Sequence, residues 1–152
     1  MPRFRILGLL PLALLVACSS DKPSTMEDLT SAVVTLPGGQ KIKAERMVLT
    51  TDLARGMMFR DSLAPDRGML FIHDKTGNNP YWMYQVRIPL DIIWMDKGRK
   101  IVEISPDTPP CKSASSRECP QYGGNVPAQY VLELAGGVAR KEGLKAGDVL
   151  QF

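Results

Sequence analysis

The sequence predicts a mainly β domain, a compact antiparallel barrel or sandwich of about eight short strands with two short helices. Short runs of β-branched, aromatic and other apolar residues recur along the chain, as expected of strands. Turn residues separate these runs, and the 152 residues include 13 glycines and 12 prolines. The chain shows no repeated alternation of strands with long amphipathic helices, so a doubly wound α/β fold is not predicted.

The first predicted elements are a hairpin and a short helix. Residues 32–36 are mostly β-branched and apolar, and residues 37–40 read Pro-Gly-Gly-Gln, which is typical of a turn. Residues 41–48 alternate polar and apolar side chains and form the predicted return strand. Residues 50–52, Thr-Thr-Asp, offer capping oxygens to a helix that we expect over residues 53–59.

The middle of the chain predicts four further strands. Residues 69–73 are a short apolar run between turn residues, which favours a buried strand. Residues 81–86 and 91–96 contain both tryptophans and form the next two predicted strands. A tight turn with Gly98 then leads into residues 101–104, so the last two of these strands are expected to pair as a hairpin.

The last third of the chain predicts a long loop, two strands and a helix. Residues 107–124 are rich in proline, serine and glycine and contain two cysteines, which indicates a loop. Residues 128–134 read Ala-Gln-Tyr-Val-Leu-Glu-Leu and are predicted to be a strand. Residues 138–142 can form a short helix that ends at a glycine, and residues 149–152 are the predicted closing strand.

The N-terminus has the pattern of a bacterial export signal. A basic start with Arg3 and Arg5 precedes an apolar run over residues 6–17, which is shorter than the roughly 20 residues that span a bilayer. Cys18 follows Leu-Val-Ala, as in a lipobox, so we predict a lipoprotein signal peptide over residues 1–17 and lipidation of Cys18. An ordinary signal peptide with a chance cysteine is the alternative.

The signal predicts the organisation and location of the mature chain. A polar tether over residues 18–31 would connect the lipid to a single β-rich domain over residues 32–152. The expected location is the cell envelope, most simply the periplasmic side of a Gram-negative membrane. Removal of the signal peptide would lower the basic residues from 19 to 17 against 16 acidic residues. The chain has no basic run, so nucleic-acid binding is not predicted. The oligomeric state is left open.

Cys111 and Cys119 are predicted to form a disulfide, because an even pair of cysteines in an exported chain usually does. A loop of this size predicts a stabilisation of about 2–3 kcal/mol. A metal or redox pair is the alternative, but the spacing is not that of a Cys-x-x-Cys motif, and His73 is the single histidine. No cofactor, metal site or catalytic residue is predicted.

Large apolar side chains on the central strands predict a ligand groove. Side chains alternate faces along a strand, so aromatic and methionine residues are expected on both faces here. One face must form the core, and the other can line a groove, since thioethers and aromatic rings adapt to apolar ligands. The alternative is that every member of the set is core. The candidate groove residues are Met58, Phe59, Met69, Trp82, Met83 and Trp94.

Four charged residues lie inside otherwise apolar motifs and define a candidate polar site: Arg55, Arg60, Asp91 and Glu133. A buried charge needs a partner, so an arginine paired with Asp91 is expected to pin the helix to the central strands. Alternatively, an arginine at the mouth of a pocket could bind a carboxylate or a phosphate. Convergence of Asp91 and Glu133 would instead indicate a hydrolase.

Several motifs in order resemble one known family. They are Arg-Gly-Met-Met-Phe-Arg at 55–60, Gly-Met-Leu-Phe at 68–71, Trp-Met at 82–83, Pro-Leu-Asp at 89–91, Pro-Pro-Cys at 109–111, Tyr-Val-Leu-Glu-Leu at 130–134 and Gly-Asp at 147–148. From about Val33 to Phe152 the chain resembles the domain-of-unknown-function 192 family. The resemblance implies a compact, mostly β domain that is often exported, and it implies no established enzymatic activity.

The sequence therefore predicts a membrane-anchored, exported domain that acts as a non-catalytic binding or accessory module. Its expected partners are the membrane, through the lipid, and a small apolar molecule or an extended peptide. The first alternative is an envelope hydrolase or carbohydrate-active enzyme that uses Asp91 and Glu133. The second alternative is a structural interaction module of an envelope assembly, which would expose an apolar patch.

Replacing the lipidated residue tests the anchor. The variant Cys18→Ser should move the protein from the membrane fraction to the aqueous fraction, because a serine at this position cannot receive the lipid. Fractionation of cells followed by immunoblotting measures the distribution. If Cys18→Ser remained fully in the membrane fraction, lipidation at this site would be contradicted.

Overall fold

The computed structural model describes residues 30–152, and this part of the chain is mainly β, as predicted. The strands are β1 Ser31–Thr35, β2 Lys41–Met47, β3 Arg67–Gly77, β4 Tyr81–Trp82, β5 Leu90–Met95, β6 Ile101–Thr108, β7 Gln121–Tyr122 and β8 Ala128–Ala135. The helices are α1 Thr50–Arg55, α2 Val138–Lys141 and a 3-10 turn at Ser116–Glu118. Among residues 30–152, no helix is both long enough and apolar enough to cross a bilayer.

Six strands form one sheet in the order β1-β2-β3-β8-β5-β6, and β4 pairs with β7 separately. The fold is sandwich-like, because this sheet does not close into the barrel that was the other predicted architecture. The predicted closing strand is reduced to two isolated bridges, which join Thr35 to Gln151 and Lys100 to Val149. The C-terminal residues thus form bridges at both edges of the open sheet, in β1 and just before β6, but they do not form a strand that closes it.

The prediction of an entirely antiparallel sheet is wrong at one pair of strands. Strands β2 and β3 are parallel, with Lys43 opposite Arg67 and Met47 opposite Phe71. Parallel neighbours need a crossover connection rather than a tight turn, and the segment that contains α1 supplies it. This crossover carries α1 over one face of the sheet, where it becomes part of the candidate site.

Both faces of the sheet are buried. Every residue of β5 is buried, and alternate residues of β8 point to opposite sides. The cleft-side core consists of Met57, Met69, Phe71, Met83, Val86, Leu90, Ile92, Trp94, Ala128 and Val131. The α2-side core consists of Val34, Leu36, Ile42, Ala44, Leu70, Ile93, Met95, Ile101, Leu132, Leu134, Val138, Ala139 and Leu150. Two layers of side chains on one sheet are consistent with a sandwich-like fold.

Two elements next to the cleft are shorter than predicted. Helix α1 begins at Thr50 and ends at Arg55, and Gly56 after it has a φ of +43°, so the predicted start at residue 53 and the predicted continuation to residue 58 or 59 are wrong. Strand β4 ends at Trp82 rather than at residue 86, because the chain turns and the amide of Val86 donates to the carbonyl of Met83 at 3.3 Å. Gln85 adopts a φ of +58°, which a strand does not allow.

The disulfide between Cys111 and Cys119 is present, as predicted, with the Cα atoms 5.7 Å apart. The loop that it closes packs against the turn after β4. The amide of Cys111 donates to the carbonyl of Met83 at 3.1 Å, and the hydroxyl of Tyr84 donates to the carbonyl of Ala114 at 3.3 Å. The disulfide therefore stabilises the segment that forms one wall of the cleft.

Asp91 is completely buried and accepts three hydrogen bonds from backbone amides. The donors are the amides of Asp107 at 2.8 Å, Gly137 at 3.1 Å and Ala139 at 2.6 Å. The predicted ion pair between Asp91 and an arginine is therefore wrong. Three amide donors already compensate the carboxylate, and two of them belong to the start of α2.

Removal of the Asp91 carboxylate should destabilise the domain strongly. The variant Asp91→Ala leaves three backbone amides without their acceptor, so the free energy of unfolding should fall by about 3–5 kcal/mol. Urea unfolding of the full chain measures this change. The control is Asp61→Ala, which removes an exposed partner of Arg87 and should cost less than about 1 kcal/mol. Similar losses in both variants would contradict this role of Asp91.

Candidate functional site

Glu133 is a buried acidic residue on the central strand β8. It lies opposite Met69 of β3 and Ile92 of β5, and its side chain faces the cleft-side core. The residue is only 4% exposed. Its Oε2 atom is buried and has no hydrogen-bond partner among the residues that the structure describes. An unpaired carboxylate in such a place costs several kcal/mol, so its protonation state decides how the site behaves.

Burial changes the protonation of Glu133. It raises the pKa of this carboxyl from 4.5 to about 8, and the positive charge of Arg60 offsets part of the rise. Arg60 is itself held by Glu45, with its Nη1 and Nη2 atoms 2.5 and 2.8 Å from the two carboxylate oxygens. This hydrogen-bonded pair raises the pKa of Arg60. At neutral pH, Glu133 is therefore mainly a neutral acid beside an ion pair.

A small cavity, called here the Glu133 cleft, lies over this carboxyl. Its volume is about 20 Å³. The lining comes from α1, the segment after it, β3 and the chain around β4: Leu53, Ala54, Arg55, Gly56, Met57, Met58, Phe71, Tyr81, Trp82, Tyr84, Val86 and Glu133. A Cβ atom on Gly56 would lie 3.1 Å from Cζ of Phe71 and 3.7 Å from Oε2 of Glu133. Glycine at this position therefore keeps the approach to the carboxyl open.

A larger cavity, called here the Trp82 groove, adjoins the Glu133 cleft. It has a volume of about 300 Å³ and shares Leu53, Ala54, Tyr81 and Trp82 with the cleft. The rest of its lining is His73, Asn78, Asn79, Pro80 and Gln121. The shared residues make the two cavities neighbours, with helix α1 on one side and strand β4 on the other.

A histidine and a tyrosine are hydrogen-bonded in the wall of the Trp82 groove. Nε2 of His73 lies 3.2 Å from the hydroxyl of Tyr81. Burial lowers the pKa of His73, although the charge of Asp74 opposes this shift. Burial also raises the pKa of Tyr81, and the charge of Glu133 adds to the effect. Both side chains are therefore neutral at neutral pH, and they offer hydrogen-bonding groups rather than charges.

The aromatic wall of the site is fixed by ring contacts. Tyr81 makes edge-to-face contacts with Phe71 at 5.2 Å and with Trp94 at 5.9 Å between ring centroids. The indole of Trp94 also lies against Gly123, where an added Cβ atom would be 2.3 Å from the ring. Glycine is required there by this approach and by a φ of +62°. The wall is thus positioned before any ligand binds.

Only part of the predicted groove lies in the cavities. Met69, Met83 and Trp94 are fully buried, so the prediction that they line a groove is wrong. They are core because the sheet is covered on both faces. Met58 and Trp82 do line the Glu133 cleft, and Trp82 is 40% exposed. Phe59 is exposed and does not line the cleft, but it lines a neighbouring depression that shares Arg55, Gly56 and Met58 with it.

The predicted polar site is divided between the two faces of the sheet. Asp91 is opposite Leu134, and Glu133 is opposite Ile92 on the same pair of strands, so the two carboxyl groups point to opposite sides. The two carboxyl groups therefore do not converge as a hydrolase would need, and this alternative prediction is wrong. Arg55 is an exposed residue at the edge of the Glu133 cleft. Residues 30–152 hold no cluster of histidine, cysteine and acidic side chains that could bind a metal.

Two features of the site were not predicted, namely the pair of His73 with Tyr81 and the approach beneath Gly56. Both depend on contacts between distant segments, and the sequence carries no local signal for the pair of His73 with Tyr81.

For Glu133, which was a predicted site residue, the sequence does carry a signal. A single charge within the apolar run Tyr-Val-Leu-Glu-Leu marks a buried ionisable group, which is a functional candidate wherever no partner accompanies it.

Fold and site together define a sandwich-like β domain with a buried acid beside an aromatic groove. The chain belongs to the DUF192 family, whose model, described as "Uncharacterized ACR", matches residues 32–152. No curated protein matches the chain.

Two solved structures are similar to this chain. A protein of unknown function from Novosphingobium aromaticivorans DSM 12444 is 28% identical, with a TM-score of 0.72, and the match covers 80% of this chain and 85% of that one. A protein from Sinorhizobium meliloti 1021, described as "a putative transcription regulator", is also 28% identical, with a TM-score of 0.68. That match covers 78% of this chain and 89% of the other.

The raised pKa of Glu133 predicts a pH-dependent stability. Between about pH 4.5 and pH 8 the folded state holds a proton that the unfolded state releases, so the free energy of unfolding should fall as the pH rises through this range. The total loss is on the order of 5 kcal/mol and should level off above about pH 8.

The variant Glu133→Gln cannot ionise and should lack this component. Urea unfolding of the full chain from pH 5 to pH 9 compares the two proteins. The variant should gain stability relative to the wild type as the pH rises. Parallel profiles for both proteins would show that Glu133 does not titrate in this range.

Proposed function

We propose that this protein is an exported, membrane-anchored accessory module that binds a small amphipathic molecule in the Trp82 groove. The observation that carries the proposal is the position of Trp82, which is 40% exposed and lines both the groove and the Glu133 cleft. A large aromatic side chain at the border of two neighbouring cavities offers contact area to a ligand at low entropic cost.

The size and lining of the groove support a small molecule as the occupant. Its volume of about 300 Å³ is at the lower end of ligand sites, which span roughly 300–1,000 Å³. Leu53, Ala54 and Pro80 supply apolar walls, while His73 and Gln121 supply polar groups. Such a mixture fits a molecule with an apolar body and a few polar atoms.

The opposite orientations of Asp91 and Glu133 favour binding over hydrolysis. Asp91 is fully buried and occupied by backbone amides, so it is unavailable for general acid or base catalysis. Glu133 alone does not supply the pair of carboxyl groups that glycoside hydrolysis uses. Regulation of transcription, the description of one structural neighbour, has no support from the charge pattern, because the sequence contains no basic run.

Export and anchoring are supported by two independent features. The disulfide between Cys111 and Cys119 fits an oxidising compartment outside the cytoplasm. The signal sequence and Cys18 fit a lipoprotein, and they lie outside the described residues. A polar tether after the lipid would let the domain reach ligands near the membrane surface.

Truncation of Trp82 tests the groove. The variant Trp82→Ala should fold with a loss of stability smaller than the roughly 3–5 kcal/mol typical of buried tryptophan, because its ring is partly exposed. It should lose the small molecule that co-purifies with the wild type from the native host. Native mass spectrometry of the released full chain measures bound mass, and urea unfolding measures stability.

The matched control is Val126→Ala, which truncates another apolar residue with 40% exposure outside the groove. This control should retain the co-purifying molecule. Retention of the same bound mass by Trp82→Ala, or a wild type without any bound small molecule, would contradict the proposed function.

A further inference from the structure

We propose that the Glu133 cleft binds the protonated primary amine of an amphipathic ligand, while the apolar body of the same ligand lies in the Trp82 groove. This inference rests on the proposed function and specifies the chemical class of the ligand. It is carried by the geometry of one carboxyl group and of the aromatic rings around it.

One oxygen of Glu133 has no partner in the part of the chain that the structure describes. Oε2 of Glu133 is buried, has no hydrogen-bond partner among the described residues and lies 3.7 Å from the position of a Cβ atom on Gly56, in the lining of the cleft. This oxygen therefore lacks a donor from these residues. An ammonium group supplies both an N–H donor and the opposite charge, and hydrogen bonds between charged partners are about twice as strong as neutral ones.

The lining of the cleft is rich in aromatic rings. Four aromatic residues line the cleft beside Glu133, namely Phe71, Tyr81, Trp82 and Tyr84. The faces of aromatic rings attract cations, and this attraction grows when the cation leaves water. A carboxyl group at the end of an aromatic cleft therefore combines two kinds of group that proteins use to bind organic ammonium ions.

The size of the cleft fits a small ammonium head. The cleft has a volume of about 20 Å³, which is close to the roughly 10–15 Å³ that one water-sized group requires. A primary ammonium head is about as large as a water molecule and fits this volume. A trimethylated ammonium head is several times larger and does not. The adjoining groove of about 300 Å³ accommodates the apolar remainder of the ligand.

The charges around Glu133 permit a cation to bind. Arg60 is already paired with Glu45 in a bidentate contact, so that pair adds little net charge. Arg55 is exposed at the edge of the cleft, where water screens it. The remaining ionisable groups that face the site from β3, β4 and the turn after it are His73, Tyr81 and Tyr84. His73 and Tyr81 are hydrogen-bonded to each other.

Binding of an ammonium head would be linked to loss of a proton from Glu133. The carboxylic acid releases its proton to solvent, and the ligand nitrogen stays protonated because primary amines resemble lysine in their pKa. Affinity should thus increase up to about tenfold for each pH unit between pH 6 and pH 8, with the release of up to one proton for each bound ligand. A neutral ligand of the same shape should show neither effect.

Isothermal titration calorimetry of the full chain in detergent tests this inference with two probes of matched shape, 2-phenylethylamine and 2-phenylethanol. We expect the amine to bind at least about tenfold more tightly than the alcohol at pH 7.5, consistent with one charge-assisted hydrogen bond. Titrations in buffers of different ionisation enthalpy count the protons released. The preference should disappear in Glu133→Gln.

The control for charge removal is Glu103→Gln, since Glu103 binds Asn125 and does not line the cleft. This variant should keep the preference for the amine. Equal binding of amine and alcohol that depends on Trp82 would overturn the amine site and leave the groove intact. Binding of neither probe would overturn both proposals. A preference that persists in Glu133→Gln would place the amine elsewhere and overturn the inference.

Discussion

The burial of strands β5 and β8 on both faces is the constraint on which the rest of the structure depends. All six residues of β5 are buried, and β8 is buried over most of its length. A sheet with two apolar faces needs other segments packed on both of them, because the side chains of an uncovered face would lose their hydrophobic stabilisation. Helix α2 and the C-terminal residues cover one face, and the crossover through α1 with β4 and β7 covers the other.

The different segments that cover the two faces of the sheet explain why the buried carboxyl groups of Asp91 and Glu133 differ in their hydrogen-bond partners. Asp91 points to the α2-side core, where two amides at the start of α2 and the amide of Asp107 in β6 bind it. Glu133 points to the cleft-side core, where the covering segment offers aromatic rings and methionines. Amides stabilise a charged carboxylate, whereas an apolar cover favours the neutral acid. The same sheet therefore holds a structural acid on one side and a group with spare hydrogen-bonding capacity on the other.

The sequence was sufficient for features that depend on near neighbours. The hairpin of β1 and β2 and the hairpin of β5 and β6 follow from turn residues and alternation, and the disulfide follows from an even pair of cysteines. The parallel pair of β2 and β3 could not be predicted, because the partner of a strand across a crossover is decided by packing of the whole sheet.

For the site, the sequence did not show which face of the sheet each side chain would occupy or whether that side chain would be buried. Trp82 and Trp94 each precede a methionine in similar apolar surroundings, yet one is partly exposed and the other is fully buried. Alternation along each strand was predictable, but the register between β5 and β8 was not. That register places Asp91 and Glu133 on opposite faces, and a shift of one residue would have placed them on the same face.

The disulfide loop has a consequence for how this protein is produced. The amide of Cys111 holds the carbonyl of Met83, so the turn that completes the cleft is tied to a covalent bond that forms only under oxidising conditions. A recombinant chain made in a reducing cytosol would retain the sheet, whose strands do not depend on the thiols, but would lose rigidity in this turn. Ligand screens on such material would sample a distorted pocket, so oxidative folding should come before any search for the ligand.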